Sequence, residues 1–144
     1  MRGVCTLRPG VEGVSDNIRV YSLIGRFLEH SRVFYFNNGG NPDILLGSAD
    51  WMNRNLRGRV EVVFPVEDES LKERVYRQLL VLGLRDRVKS RQLQADGSYT
   101  RRQPAPGEPG VSQQEVLMDI ALGRDVEIPL QDPGPEAAVA DDGA

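Results

Sequence analysis

The 144-residue chain has few of the residues that form covalent crosslinks or metal sites: it contains one cysteine, Cys5, and one histidine, His30. A single cysteine excludes an internal disulfide and fits a reducing compartment, and one histidine with one cysteine makes a His/Cys metal site implausible. The chain also lacks a run of about 18 apolar residues, and residues 1–5 lack the pattern of a signal peptide. We therefore expect a cytoplasmic protein without a membrane span, which a complex could still bring to a membrane.

Lysine is also scarce, because sixteen of the 18 basic residues are arginine. The rigid guanidinium fork matches two phosphate oxygens at once, although a bias toward arginine codons would account for much of this count. Residues 1–104 carry 17 Lys and Arg against 12 Asp and Glu, whereas residues 105–144 carry one against nine. The formal charges are therefore about +5 for the body and about −8 for the tail, so the body favours polyanions and the tail does not.

Short β-type runs alternate with amphipathic runs along the chain, and this alternation predicts a mixed α/β layer fold. We predict helices over residues 15–30, 70–84 and 111–122, with Ser112 capping the last of them. Strands are predicted at residues 3–7, 32–36, 44–47 and 59–66, and the segments 88–93 and 98–102 are predicted to pair as a hairpin.

The segments between these elements carry further predictions. Residues 53–58 are interpreted as a polar connection and Asn38–Gly40 as a tight turn. Trp51 and Met52 are expected in the core, and the pair Arg101 and Arg102 at a solvated hairpin end. Residues 1–103 form the predicted globular domain, residues 104–122 a linker with a short terminal helix, and residues 123–144 a disordered acidic tail.

His30 lies at the predicted junction between the first long helix and the strand after it. One interpretation is that it only caps the helix C-terminus, where a positive imidazole suits the helix dipole. The other is that two packed elements hold the side chain while it faces a cleft. The residues around it do not decide between these interpretations.

Six motifs occur in one order: RGVC at residues 2–5, GVSDNIR at 13–19, FLEHSR at 27–32, NGG at 38–40, GSADWMNRN at 47–55 and RVEV at 59–62. Together they make the chain, from residue 2 to about residue 102, resemble the last catalytic domain of the type 1 polyphosphate kinases. The resemblance implies a phospholipase D-like α/β domain, with a mixed sheet flanked by helices, as one of two such halves.

The resemblance also implies an activity and its partners. The family transfers the terminal phosphate of ATP reversibly to polyphosphate, through a phosphohistidine and with Mg²⁺, and releases ADP. The phosphorylated histidine and the magnesium-binding residues belong to the preceding half, so we expect this chain to be a fragment that is inactive alone. The expected partners are ATP or ADP, polyphosphate and that preceding half. A homo-oligomer is also possible, and no nucleic-acid partner is expected.

Site residues follow from the resemblance one by one. His30 matches the family's second active-site histidine, which acts in proton transfer or charge stabilisation. Arg2 and Arg59 match arginines that contact nucleotide phosphate. Arg32 occupies the lysine position of the His-x-Lys pattern in the wider phospholipase D superfamily, and it either contacts phosphate or faces solvent. These residue types suit phosphoryl transfer, in which positioning and cationic clamps do most of the work.

Two alternatives stay open at the level of the sequence. A phosphodiesterase of the phospholipase D superfamily would need two histidines, and hence a symmetric dimer that brings His30 from each protomer into one site. A domain that binds nucleotide or polyphosphate without turnover needs only the basic residues. A phosphodiester reporter substrate and the oligomeric state separate the first alternative from a kinase.

Overall fold

A computed structural model of the chain describes residues 6–128. The strands are β1 (Tyr21–Leu23), β2 (Val33–Phe36), β3 (Asp43–Gly47), β4 (Val63–Pro65), β5 (Ser90–Leu93) and β6 (Tyr99–Arg101). The α-helices are α1 (Asn53–Gly58), α2 (Glu69–Val75), α3 (Leu82–Arg85) and α4 (Gln113–Ala121), and Tyr76–Val81 has π-helical hydrogen bonding. The α/β class predicted from the sequence is confirmed, and the strands form two small antiparallel sheets.

The chain divides into two compact units. The first, called the terminal unit, contains the described residues of Met1–Glu29 and Val81–Ala144. The second, called the central unit, is His30–Leu80. The predicted boundaries at residues 103 and 122 stay predictions, and most of the predicted tail, from residue 129 onward, lies outside the described residues.

The terminal unit contains the sheet β1-β5-β6, in which all neighbours are antiparallel. Its β5–β6 hairpin confirms the prediction for residues 88–102. The helix predicted over residues 15–30 is wrong, because Tyr21–Leu23 instead pairs with β5 as an edge strand. The segment contains residues of good β-propensity, and this pairing overrides the helical spacing of its apolar side chains. The strand predicted at residues 3–7 lies almost wholly outside the described residues.

Ser15 illustrates why no helix begins at its position. Its hydroxyl donates to the Arg8 carbonyl at 2.6 Å and accepts the Val11 N–H at 3.1 Å. The side chain therefore closes a loop with the residues before it and does not cap the residues after it. Such local hydrogen bonds compete with helix formation.

Helix α4 confirms the predicted C-terminal helix, but its cap differs from the prediction. Ser112 is the N-cap residue and its side chain makes no capping hydrogen bond. The fully buried carboxylate of Asp86 instead accepts the Gln113 N–H at 2.9 Å and also accepts the N–H groups of Val88 and Lys89. One carboxylate thus joins the start of α4 to the loop before β5.

The central unit contains the sheet β2-β3-β4, which is also antiparallel. Strands β2 and β3 lie within one residue of their predicted bounds. The predicted turn Asn38–Gly40 is confirmed as a short 3₁₀ turn with positive φ angles at all three residues. Ile44, Ala49 and Val66 form the buried apolar part of this unit.

Two predictions about residues 53–66 are wrong. The presumed polar connection is helix α1, whose first turn forms when the Met52 carbonyl accepts N–H groups from Asn55 and Leu56 at 2.9 and 3.0 Å. The predicted strand over residues 59–66 is reduced to β4. Arg59 ends α1, because its N–H donates to the Asn55 carbonyl at 3.3 Å and not to a neighbouring strand.

The helix predicted over residues 70–84 is confirmed, with a π-helical segment between α2 and α3. Asp68 caps its start, since its carboxylate accepts the Leu71 N–H at 2.9 Å and the Ser70 hydroxyl at 2.6 Å. These two hydrogen bonds, led by the one from Ser70, hold the pKa of Asp68 below its ordinary value of 3.8. Within residues 6–128, the helices are too short or too polar to cross a membrane.

Candidate active site

His30 is the first residue of the central unit and precedes β2 by two residues. It lies in an irregular segment, so the predicted position at a helix C-terminus is wrong, and with it the interpretation that His30 caps a helix. The residue is exposed. An exposed imidazole outside a regular element has the access that a catalytic group needs, and it has no helix dipole to stabilise.

Arg32 holds the backbone at His30. Its Nη1 donates to the His30 carbonyl at 3.2 Å, and its Nε donates to Asp50 Oδ1 at 2.9 Å. Both side chains of this ion pair are partly buried, with 24% of Arg32 and 36% of Asp50 exposed. Of the two predicted alternatives for Arg32, solvent exposure is therefore wrong. The partners that the structure gives to the guanidinium are a carboxylate and a backbone carbonyl, which leaves phosphate contact as a prediction.

The loop that carries Asp50 is held by the residue two positions before it. The Ser48 N–H donates to the Val62 carbonyl at 3.0 Å, and the Ser48 hydroxyl accepts the Val62 N–H at 3.0 Å. The same hydroxyl donates to Glu61. Ser48 thus connects the segment after β3 to the segment before β4 by hydrogen bonds. These hydrogen bonds position the loop in which Asp50 forms its ion pair with Arg32.

Arg59 lies at the end of α1 and is exposed. Its guanidinium makes no ion pair or side-chain hydrogen bond with another residue in the described range 6–128. The fork is therefore available to an anion from solution. Arg2, the other predicted phosphate ligand, lies outside the described residues. The contact that the structure shows among the candidates is the one between Arg32 and His30.

Several side chains depart from their predicted environments. Trp51 and Met52 are exposed at 73% and 44%, so the prediction that they belong to the core is wrong; Trp51 stacks on Phe34 with ring centroids 5.2 Å apart. Arg102 is half-buried where solvation was predicted. Its Nη1 donates to the Leu84 carbonyl at 2.8 Å and its guanidinium lies 4.3 Å from the Tyr21 ring centroid. Burial lowers the pKa of Arg102.

Sequence reasoning also missed Gln114, which is buried and hydrogen-bonded to the segment before His30. A glutamine on a short helix about 85 residues away gives no pattern that would place it there. The one sequence signal is Gly25, a residue without a Cβ in a segment otherwise suited to helix.

The described residues contain no cluster of three candidate metal ligands. Residues 6–128 bring together no group of three or more His, Cys, Asp or Glu side chains that could hold a metal ion. This stretch by itself therefore does not offer Mg²⁺ a set of three such side chains.

Comparison with known proteins agrees with this arrangement of motifs. The family model described as "Polyphosphate kinase C-terminal domain 2" matches residues 1–114. The chain belongs to the polyphosphate kinase family.

Curated members of the polyphosphate kinase family resemble the chain over most of its length. A polyphosphate kinase from Synechocystis is 52% identical over 129 residues, which cover 90% of this chain and 18% of that protein. One from Parasynechococcus marenigrum is 56% identical over 108 residues, covering 75% of this chain and 15% of the relative. One from Pseudomonas aeruginosa is 51% identical over 119 residues, covering 83% and 17%.

A solved polyphosphate kinase structure shares the fold. The crystal structure of the enzyme from Porphyromonas gingivalis matches with a TM-score of 0.77 and 35% identity, over 84% of this chain and 18% of that chain. The chain therefore spans about a fifth or less of the length of the polyphosphate kinases that it matches.

Proposed function

We propose that this chain supplies the C-terminal catalytic portion of a polyphosphate kinase, which transfers the terminal phosphate of ATP reversibly to polyphosphate and releases ADP. The observation that carries this proposal is the 52% identity to a curated polyphosphate kinase over 90% of the chain. The exposed position of the only histidine is consistent with it.

His30 is proposed to act as the second active-site histidine, facing the histidine that carries the phosphate. An imidazole can hold or release a proton near neutral pH, so His30 can stabilise the developing charge or serve the leaving group. Its carbonyl is tied to Arg32, which fixes the backbone at the reacting residue. Positioning of this kind contributes a large part of phosphoryl-transfer catalysis.

Arg59 is proposed to bind nucleotide phosphate, and Arg2 is proposed for the same task from the resemblance alone. The uncommitted fork of Arg59 supports its assignment, because a bidentate contact needs two N–H groups on one guanidinium edge that have no other partner. Arg32 is proposed to act chiefly by positioning, since its Nε is already paired with Asp50.

The preceding catalytic half and Mg²⁺ complete the proposed site. The central unit exposes several large apolar side chains, and such a surface suits packing against another part of a longer kinase. They are Trp51, Met52, Leu56, Val60, Val62 and Phe64. Because residues 6–128 bring together no three candidate metal ligands, the Mg²⁺ ligands are proposed to come from that other part.

The test is a chimera of the Synechocystis kinase in which this chain replaces the 129 matching residues. We expect the chimera to form polyphosphate from ATP, measured by incorporation of γ-labelled phosphate into acid-insoluble polymer. The 144-residue chain alone should form none, because it has no second histidine to carry the phosphate. A well-folded chimera that forms no polymer would contradict the proposal.

A phosphodiester reporter substrate included in the same assays addresses the phosphodiesterase alternative. Hydrolysis of this substrate by the isolated chain, together with a dimer in solution, would favour that alternative over the kinase. If the chain binds polyphosphate but its chimera is inactive, a binding domain without turnover becomes the better account.

A further inference from the structure

Gln114, in the first turn of α4, is hydrogen-bonded to the backbone of the segment that leads into His30. Its Oε1 accepts the Phe27 N–H at 2.9 Å, and its Nε2 donates to the Phe27 carbonyl at 2.8 Å. Nε2 also donates to Glu29 Oε1 at 2.8 Å. All three partners lie within the terminal unit, and Glu29 is the residue bonded covalently to His30.

This amide takes the place of regular secondary structure. Residues 24–32 belong to no helix or strand, so the Phe27 backbone groups have no sheet or helix partner. The buried amide of Gln114 is hydrogen-bonded to both the N–H and the carbonyl of Phe27, as the backbone of a paired β-strand would be. Gln114 is 7% exposed, so water does not compete for these hydrogen bonds as it would at the surface.

Two further features are built around the amide. A Cβ at Gly25 would lie 2.3 Å from Gln114 Oε1 and 2.6 Å from its Cδ, so the side chain passes over a residue that must lack one. The preceding residue, Gln113, is anchored by the buried carboxylate of Asp86 at 2.9 Å. The Gln114 side chain is therefore held at the start of α4, through Gln113, and also at the Phe27 backbone to which it is hydrogen-bonded.

We propose that Gln114 is a positioning residue for the kinase reaction: it fixes the backbone of residues 27–29, the segment to which His30 is covalently bonded. Within the central unit, Arg32 donates to the His30 carbonyl. The proposal rests on the function proposed above, since it assigns a consequence to the placement of His30.

The first experiment uses the 144-residue chain and does not depend on kinase activity. Amide exchange at Phe27 and the imidazole C–H signals of His30 are followed by NMR; because the chain has one histidine, those signals need no further assignment. In Gln114→Ala, we expect exchange at Phe27 to be about tenfold faster, and we expect the His30 signals to shift. The matched control is Glu115→Ala, an exposed neighbour on the same helix that should change neither signal.

Two other variants keep the test decisive. Gln114→Glu keeps the acceptor for the Phe27 N–H but places a carboxylate oxygen against the Phe27 carbonyl and Glu29 Oε1, to which Nε2 donates in the parent, so a change in the same direction and at least as large is expected. Gly25→Ala should reproduce the effect of Gln114→Ala without altering α4. If Gln114→Ala unfolds the chain, these two variants decide the question.

The second experiment places Gln114→Ala in the kinase chimera. Loss of positioning at His30 should lower kcat by about tenfold and change the KM for ATP less than twofold, because the nucleotide contacts are elsewhere. Unchanged Phe27 exchange or unchanged His30 signals in the chain would overturn the proposal, and so would a full kcat in the chimera. Failure of the proposed function is a separate result: His30→Ala would then leave polymer synthesis intact whatever Gln114 does.

Discussion

At the scale of single residues, the candidate site depends on a few side chains that the fold treats differently. Arg32 is committed to Asp50, and Arg59 is left to solvent. Both arginines lie within the sequence motifs, so the sequence does not distinguish them. The structure shows that Arg32 is hydrogen-bonded to the backbone at His30, whereas the guanidinium of Arg59 can bind an anion. The distinction matters because a guanidinium that is already ion-paired has fewer N–H donors left for phosphate.

The free fork of Arg59 gives a prediction about substitution with lysine. In the kinase chimera, Arg59→Lys keeps the charge but loses the two-pronged contact, so kcat/KM for ATP should fall by about tenfold, equivalent to about 1.4 kcal/mol. The melting temperature should not change, since the side chain is exposed and makes no ion pair or side-chain hydrogen bond with another residue in the range 6–128.

Arg57→Lys is the matched control for Arg59→Lys, because Arg57 is also an exposed arginine in the last turn of α1. It should retain the parental kcat/KM. Equal kinetics for lysine and arginine at position 59 would remove the bidentate assignment.

At the scale of elements, part of the fold could be predicted and part could not. The β2–β3 pair, the β5–β6 hairpin and the helix after Asp68 follow from local signals: alternation, turn residues and an N-cap. The segment 15–30 fails because its apolar spacing fits a helix while its partner, β5, lies about 70 residues away. Long-range pairing of that kind leaves no local trace.

The candidate site shows the same limit. The motif identifies His30, but the sequence does not decide whether its side chain is exposed. The structure decides this, because the helix predicted over residues 15–30 does not form. Asp86 and Gln114 could not have been found, because each acts on backbone groups of a distant segment. Backbone groups have the same chemistry at every residue, so a sequence does not mark which of them need a partner.

The N-cap of α2 gives a prediction about pH. Asp68→Ala should lower the melting temperature at neutral pH by removing the hydrogen bonds to Leu71 and Ser70. Because folding lowers the pKa of Asp68, this stabilisation is fully present above 3.8 and is lost as the pH falls through the lowered value. The melting temperatures of parent and variant should therefore converge below pH 3.8.

Thermal unfolding followed by circular dichroism between neutral and acidic pH measures this convergence. Glu67→Ala, which removes the adjacent exposed acid, is the control and should follow the parent at every pH. A constant difference between Asp68→Ala and the parent across the range would mean that the carboxylate does not cap the helix.

At the scale of the whole molecule, charge is distributed unevenly along the chain. Residues 129–144 contain four acidic residues and no basic one, so a chain that ends at Ile128 changes from a formal net charge of −3 to +1. A cut after Arg102 would remove more acid but also α4, whose Gln113 and Gln114 contact the rest of the terminal unit. The cut after Ile128 therefore isolates the effect of charge.

We predict that the chain ending at Ile128 binds polyphosphate more tightly than the 144-residue chain. The difference should shrink as salt rises, because the Debye length falls from about 10 Å at 0.1 M to about 3 Å at 1 M. Titration with polyphosphate at several salt concentrations measures it. A full-length variant with Asn or Gln at the four acidic positions is the control and should match the shortened chain; equal binding by all three proteins would contradict the prediction.

The central claim is that His30 takes part in phosphoryl transfer, and its most direct test is the initial rate of polyphosphate synthesis by the kinase chimera carrying His30→Ala. Loss of a general acid or base costs about 10²–10⁴ in rate, so we predict a rate at least about 100-fold below that of the parental chimera, with the same melting temperature. A folded His30→Ala chimera that synthesises polyphosphate at the parental rate would contradict the account.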